Sequence, residues 1–138
     1  MIDLFRGKYG FLSNMYDAPF YEDGIKYPTV EHYVNAAKTL DPNEKKRVMI
    51  SKSPVDAKSA GKTVTLREDW DDVKLSIMEH AVRLKFQCNP KLAYRLIATG
   101  NEELVEGNWW HDTYWGVCNG VGENHLGKIL MKIREELR

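Results

Sequence analysis

Beyond Tyr27 the chain sets most of its apolar residues at helical spacings, and the first 27 residues are the part that reads least like helix. "PTVEHYVNAAKTL" places Val30, Tyr33, Ala37 and Leu40 alternately three and four apart, the seam of one buried helical face. The longest predicted helix is "DWDDVKLSIMEHAVRLKF", with Val73, Ile77, Ala81 and Leu84 as its inner stripe, acids crowding the first turn where the helix dipole favours them, and "CNP" as its stop. "NHLGKILMKIREEL" closes the chain with Leu126, Ile129, Leu130, Ile133 and Leu137 on one side. Helix starts are also legible. In "DPNEKKRVMIS" Asp41 is a cap, Pro42 suits the first helical position and Glu44 stands where a capping box wants an acid. "SPVDAKSAGK" repeats the arrangement with Ser53 and Pro54, and Gly61 is placed to end the helix in a left-handed conformation. In "NPKLAYRLIATG" Asn89 is the expected cap and Gly100 follows the end. Before these helices, "IDLF" and "GIKY" read as short strands, and "YEDG" carries the Asp-Gly signal of a tight turn. The pattern predicts a mainly α fold with minor β, an α+β domain of about six helices with a small N-terminal hairpin or sheet.

Composition narrows this picture. A chain of 138 residues, 43% hydrophobic and 29% charged, can bury a core as one domain, and no repeat or Gly/Ser linker divides it, so residues 1–138 are expected to form a single unit. No apolar run approaches the roughly 18 residues of a membrane span. The opening "MIDLFRGKYG" lacks a basic segment followed by an apolar stretch, so no secretory signal is readable and a cytoplasmic location is expected. Twenty basic residues balance twenty acidic ones, which excludes a global field that would draw the chain onto a duplex or an anionic membrane and leaves room only for a local basic pocket. Cys88 and Cys118 form no disulfide framework and no zinc spacing. The four histidines, His32, His80, His111 and His125, make no recognisable ligand set, so neither a metal nor a cofactor is expected. No stable protein partner is readable.

Three segments carry candidate chemistry. Glu31, Asn35 and Lys38 are spaced four and three apart, on a stripe beside the apolar seam. They read either as a site or as charges facing water. "YGFLSNMY" mixes Phe11 with the Ser13–Asn14 pair, the composition of a loop whose hydroxyl and amide groups read polar edges, or of a turn packed on the core. "EGNWWHDTYWG" crowds Trp109, Trp110, Tyr114 and Trp115 into a segment broken by glycine, Asn108 and Asp112. It is either the wall of a ligand site or a tryptophan-rich corner of core in which Asp112 caps a turn. After it, "CNGVGENHLGK" offers glycines before a helix start, an arrangement able to hold phosphate or simply to connect two elements.

On these residues the chain resembles the NADAR superfamily, associated with NAD and ADP-ribose metabolism, and is similar to its riboflavin-intermediate N-glycosidases. The segments that carry the resemblance are "YGFLSNMYDAPF", "YPTVEHYVNAAK", "LREDWDDVKLSIMEHAVRLKF", "LIATG", "LVEGNWWHDTYWGVC" and "GENHLGKILMKIREEL", in the family's order. The resemblance implies a mainly helical fold and hydrolysis of an N-glycosidic bond between a ribose and a base or amine. The substrate would be a small phosphorylated nucleotide of early riboflavin synthesis or ADP-ribose attached to guanine in nucleic acid. The family's functional positions fall on Glu31, Trp70 and Asp112, and Asn35 stands where glutamine is commonest, a departure that bears on specificity.

The chemistry so implied agrees with the residues. Cleaving a ribosyl C–N bond develops oxocarbenium character that an ionised carboxylate stabilises while a second group protonates the leaving nitrogen, for which Glu31 and Asp112 are the natural pair. An alternative uses Lys38 as an amine nucleophile that opens the sugar into a Schiff base, which requires a pocket that lowers its pKa. Glu31, Lys38 and Asp112 are thus the catalytic candidates. Trp70, Trp110 and Trp115 would stack on a base, Arg6 and Lys128 would meet phosphates, and Phe11, Ser13, Asn14 and Asn35 complete the expected binding set. A non-catalytic module that binds ADP-ribose or NAD is the alternative function. It would need the aromatic wall but not three ionisable groups around it.

Overall fold

A computed structural model describes residues 1–138. Six α-helices, α1 (Val30–Ala36), α2 (Pro42–Met49), α3 (Pro54–Gly61), α4 (Trp70–Cys88), α5 (Pro90–Ala98) and α6 (His125–Leu137), carry the fold. An antiparallel hairpin, β1 (Phe20–Glu22) and β2 (Ile25–Tyr27), precedes them, and two short parallel strands, β3 (Gly107–Asn108) and β4 (Val117–Cys118), stand before α6. The architecture is mainly α with minor β, as the periodicity predicts. In the hairpin, Phe20 pairs with Tyr27 and Glu22 with Ile25 across Asp23 and Gly24, both at positive φ, which is the tight turn that "YEDG" announces. The strand opposite "IKY" is therefore "FYE" rather than "IDLF". Ile2 forms a single bridge to Leu104, and residues Gly7–Leu12 wind into a 3-10 helix.

Helix α4 is the hub. It packs against α1, α5, α6 and β1, and the main core gathers Phe5, Leu12, Phe20, Val34, Met78, Val82, Phe86, Leu96, Leu104, Leu130 and Ile133 around it. A second small cluster of Ala36, Val48 and Ala57 joins α1, α2 and α3. Local caps behave as their chemistry dictates. Asp41 accepts the N–H groups of Asn43 and Glu44, Ser53 accepts that of Asp56, and Pro42 and Pro54 open their helices.

Four readings of the periodicity are corrected. In α4 the fully buried face is Met78, Ala81, Val82, Lys85 and Phe86; of the expected stripe Ala81 belongs to it and Ile77 and Leu84 pack half-buried at its edge, because elements on several sides share the helix surface. In α1 Leu40 lies beyond the helix and is 65% exposed, whereas His32 and Asn35 are buried with hydrogen-bond partners. Gly61 does not end α3 in a left-handed turn. It lies inside the helix where α3 meets α1, and a Cβ there would collide with the Asn35 amide. Asn89 does not cap α5, since its amide instead donates to the carbonyls of Pro19 and Lys85.

Candidate active site

One cavity of about 400 Å³ opens where the two ends of the chain meet the middle. Its floor comes from the core: Phe5, Val34, Met78 and Leu126. Its walls come from α1, α3, the first turns of α4, the loop after the 3-10 helix and the 106–115 segment. Three carboxylates, Glu31, Glu106 and Asp112, share it with five cations, Arg6, Lys38, Lys58, Lys62 and Lys74.

Glu31 sits in the first turn of α1, where Thr29 caps the helix by accepting the His32 N–H. The Asn35 amide donates at 3.0 Å to the Glu31 carboxylate and at 2.8 Å to its carbonyl, locking the side chain one turn away. Burial raises the Glu31 pKa, opposed by that hydrogen bond and by Lys58 and Lys38, with Asp112 reinforcing the rise. Lys38 is placed just past the helix end, its Nζ 6.0 Å from the centre of the Trp70 ring. Burial lowers its pKa, Glu31 opposes this, and Lys58 and Lys62 add to the lowering. A lysine depressed by burial and by neighbouring lysines is the environment that the Schiff-base route requires, and Glu31 works against it.

Asp112 shapes its own loop. Its Oδ1 accepts the N–H groups of Tyr114 at 3.2 Å and Trp115 at 2.9 Å, the turn-capping role that composition left open, while the residue still lines the cavity. The tryptophans divide between two environments. Trp115 is partly buried and packs on the core, Trp110 is 44% exposed at the cavity rim, and Trp109 is 59% exposed with the Arg6 guanidinium 4.1 Å above it.

Of the twelve residues singled out from sequence, Arg6, Ser13, Asn14, Glu31, Asn35, Lys38, Trp70, Trp110, Asp112 and Trp115 line the cavity. Two do not. Phe11 is a core residue, 2% exposed, because the 3-10 helix turns its ring inward and only the residues after the helix end reach the cavity. Lys128 is exposed on the outer face of α6, opposite the apolar stripe of Leu126, Ile129, Leu130 and Ile133 that packs inward.

Sequence reasoning passed over Glu106, Lys58, Lys62 and Lys74. Lys58 on α3 and Lys62 just past its end carry no local signal, because nothing in the sequence nearby shows that α3 packs beside α1. Glu106 had a faint signal: an acid directly after the buried pair Leu104 and Val105 is costly unless something uses or neutralises it. Burial, with a smaller push from Asp112 and Glu31, takes its pKa up to about 7 against the pull of Asn108 and Lys58. No three His, Cys, Asp or Glu side chains converge as a metal site would require.

Residues 4–138 match the NADAR domain family. The chain is 39% identical over 132 residues to the N-glycosidase YbiA of Shigella flexneri, spanning 94% of this chain and 82% of that protein. It is 37% identical over 133 residues to a riboflavin biosynthesis protein of Vibrio vulnificus, spanning 94% of this chain but 36% of that protein. Its fold superposes on the NMR structure of the Escherichia coli protein YbiA with a TM-score of 0.89 at 37% identity, covering 99% of this chain and 84% of that one. Matching the family along nearly its whole length, and relatives of similar size in sequence and in fold, the chain belongs to the NADAR domain family.

Proposed function

We propose that this chain is an N-glycosidase that hydrolyses the C–N bond between a phosphorylated ribose and a base or amine, with an early intermediate of riboflavin synthesis as its substrate class. The observation that carries this reading is one cavity in which Glu31, Lys38 and Asp112 lie beside Trp70, Trp110 and Trp115, so that ionisable groups and stacking surface serve one ligand. The names of the relatives, N-glycosidase and riboflavin biosynthesis protein, support the reaction and the substrate class.

Within this reading the ribose lies over Glu31 and Lys38, the base stacks on tryptophan, and the phosphate is drawn to Lys58, Lys62 and Arg6. Glu31 stabilises positive charge as it develops at the anomeric carbon. Attack there comes either from water or from the Lys38 amine, which would open the sugar into a Schiff base that water then hydrolyses. A pure binding module has no need of a half-buried carboxylate and a half-buried amine in one cavity, whose partial desolvation weakens the fold. One observation favours a second, larger substrate, ADP-ribosylated guanine. The exposed Trp109 and Trp110 rings, flanked by Arg6 and Lys58, continue the aromatic surface outward from the cavity rim. As the expectation from sequence has it, the protein would act in the cytoplasm; no helix is long and apolar enough to cross a membrane.

The test is incubation of the pure protein with ribosylaminopyrimidine phosphates and, separately, with an ADP-ribosylated guanine oligonucleotide, reading the released sugar by mass spectrometry. Ribose phosphate from the first is the expected product. Glu31→Gln should melt as the parent does and turn over at least about a hundredfold more slowly. Borohydride added during turnover should leave a covalent adduct on Lys38 if the amine attacks and none if water does. Turnover of the variant within about threefold of the parent would place Glu31 outside the chemistry.

A further inference from the structure

We propose that Glu106 is the acid that protonates the departing nitrogen, held for that task by Asn108 and given room by the absence of a side chain at Gly116. This rests on the N-glycosidase reading above and goes beyond it by assigning the leaving group's proton to Glu106 rather than to Asp112.

The placement is built from several independent contacts. The Glu106 N–H donates to Asn124 Oδ1 at 2.9 Å and its carbonyl accepts the Val117 N–H at 2.9 Å, so the backbone is fixed between α6 and β4. Asn124 also donates to the Leu104 carbonyl, tying the approach to Glu106 to the start of α6. At the side chain, Asn108 Nδ2 donates to Glu106 Oε2 at 3.0 Å, and the same Asn108 side chain grips the Asp112 backbone, accepting its N–H at 3.1 Å and donating to its carbonyl at 2.8 Å. One amide therefore sets the distance between the two acids. A Cβ at position 116 would collide with Glu106 Oε2, so the carboxyl occupies space that any other residue there would fill.

The contrast with the other two acids assigns the role. The Asp112 carboxylate spends Oδ1 on the N–H groups of Tyr114 and Trp115, and Glu31 lies across the cavity beside Lys38, where negative charge serves the anomeric carbon. Glu106 has an amide as its side-chain partner and faces Asp112 from its own loop, Glu31 from α1 and Lys58 from α3. Two carboxylates and burial outweigh one lysine and one hydrogen bond, so the proton stays on up to a pH of about 7. In the reaction the C1′–N bond breaks with its electron pair going to nitrogen, and the Glu106 proton moves to that nitrogen. Whichever atom attacks C1′, a water oxygen or Lys38 Nζ, sheds a proton to solvent as it bonds, and the Glu106 carboxylate regains its proton from water before the next turnover.

The experiment compares two substrates. A ribosylaminopyrimidine phosphate needs its leaving nitrogen protonated, whereas 4-nitrophenyl riboside 5-phosphate releases a phenolate that does not. Glu106→Gln should slow the first at least about a hundredfold and the second by less than about threefold. In the parent, kcat on the first substrate should fall as pH rises through about 7, because the required proton is lost there, and this limb should be missing with the nitrophenyl substrate. That comparison needs no variant, so it holds even if Glu106→Gln folds poorly. Equal losses on both substrates, or the same alkaline limb on both, would overturn the role of Glu106. A parent that releases no sugar from the ribosylamine or from ADP-ribosylated guanine would instead overturn the N-glycosidase reading, and this role with it.

Discussion

Lys85 is a fully buried charge that stands outside the cavity lining. Only 1% exposed on α4, it has no carboxylate partner and donates to the carbonyls of Phe11 at 2.6 Å and Ser13 at 3.0 Å. Its ammonium thereby closes the end of the 3-10 helix, and the residues that follow, Ser13 to Met15, form one wall of the cavity. Asn14 continues the link by accepting the Glu31 N–H at 3.1 Å, so a lysine in the core sets the loop against which the candidate catalytic helix starts. Burial pushes its pKa down to about 7, while an unfolded lysine keeps its proton to about 10.4. Between those values the unfolded chain binds more protons than the folded one, so folding stability rises with pH in that window. From pH 7 to 9.5 the gain from this residue is at most about 3 kcal/mol, at roughly 1.4 kcal/mol per pH unit. Lys38 and Lys45, also lowered by burial, contribute in the same direction, so the measurement is a difference. Urea unfolding of the parent and of Lys85→Met at both pH values should give a steeper rise for the parent; parallel slopes would mean that Lys85 keeps its proton in the fold.

At the scale of elements, the signals legible in the sequence are those that need only a few neighbouring residues. The caps of Asp41 and Ser53, the Asp-Gly turn and the apolar stripe of α6 can be read from sequence because each is satisfied within one or two turns of chain. The face of α4 could be read only in part, through Ala81 and the half-buried Ile77 and Leu84, since a lysine belongs to it and four partner elements define it. The β3–β4 pairing escaped for a similar reason: two residues against two in parallel leave no periodic trace. In the site, Glu31 and Lys38 share one short stretch and stand out together. Glu106 and Lys58 join them only through tertiary packing.

The "EGNWWHDTYWG" segment shows both outcomes within one loop, since composition announced a wall or a corner of core and the fold makes it each in turn. Trp115→Ala should cost about 3 kcal/mol of stability, because the ring packs on the core and leaves a void. Trp110→Ala should change stability by less than about 0.5 kcal/mol but weaken ligand binding by about 1 to 3 kcal/mol, the range for lost base stacking. Chemical denaturation and ligand titration of the two variants in parallel check this, and losses of the same kind from both would refute the division.

Over the whole molecule, charge cancels, with twenty basic residues against twenty acidic ones, yet the cavity is not neutral. Its five cations face three carboxylates, one of them half-protonated near pH 7, so a positive local field sits inside a molecule with almost none at long range. That field is assembled from Arg6 near one end of the chain, Lys38, Lys58, Lys62 and Lys74 in the middle, and a floor sealed by Leu126 near the other end, so it exists only in the folded whole. An anionic substrate is then attracted at close range and not steered from afar. Screening follows, since the Debye length shrinks from about 30 Å at 0.01 M salt to about 10 Å at 0.1 M. Raising potassium chloride from about 10 to about 300 mM should lower kcat/KM for a phosphorylated ribosylamine by about threefold to tenfold and leave its dephosphorylated analogue nearly unchanged. Replacing Lys58 and Lys62 together by glutamine should remove most of that salt response, because Lys58 on α3 and Lys62 just past its end both line the cavity. An equal salt response for the two substrates would mean that the cavity cations do not read the phosphate and that the binding energy comes from the tryptophan wall instead.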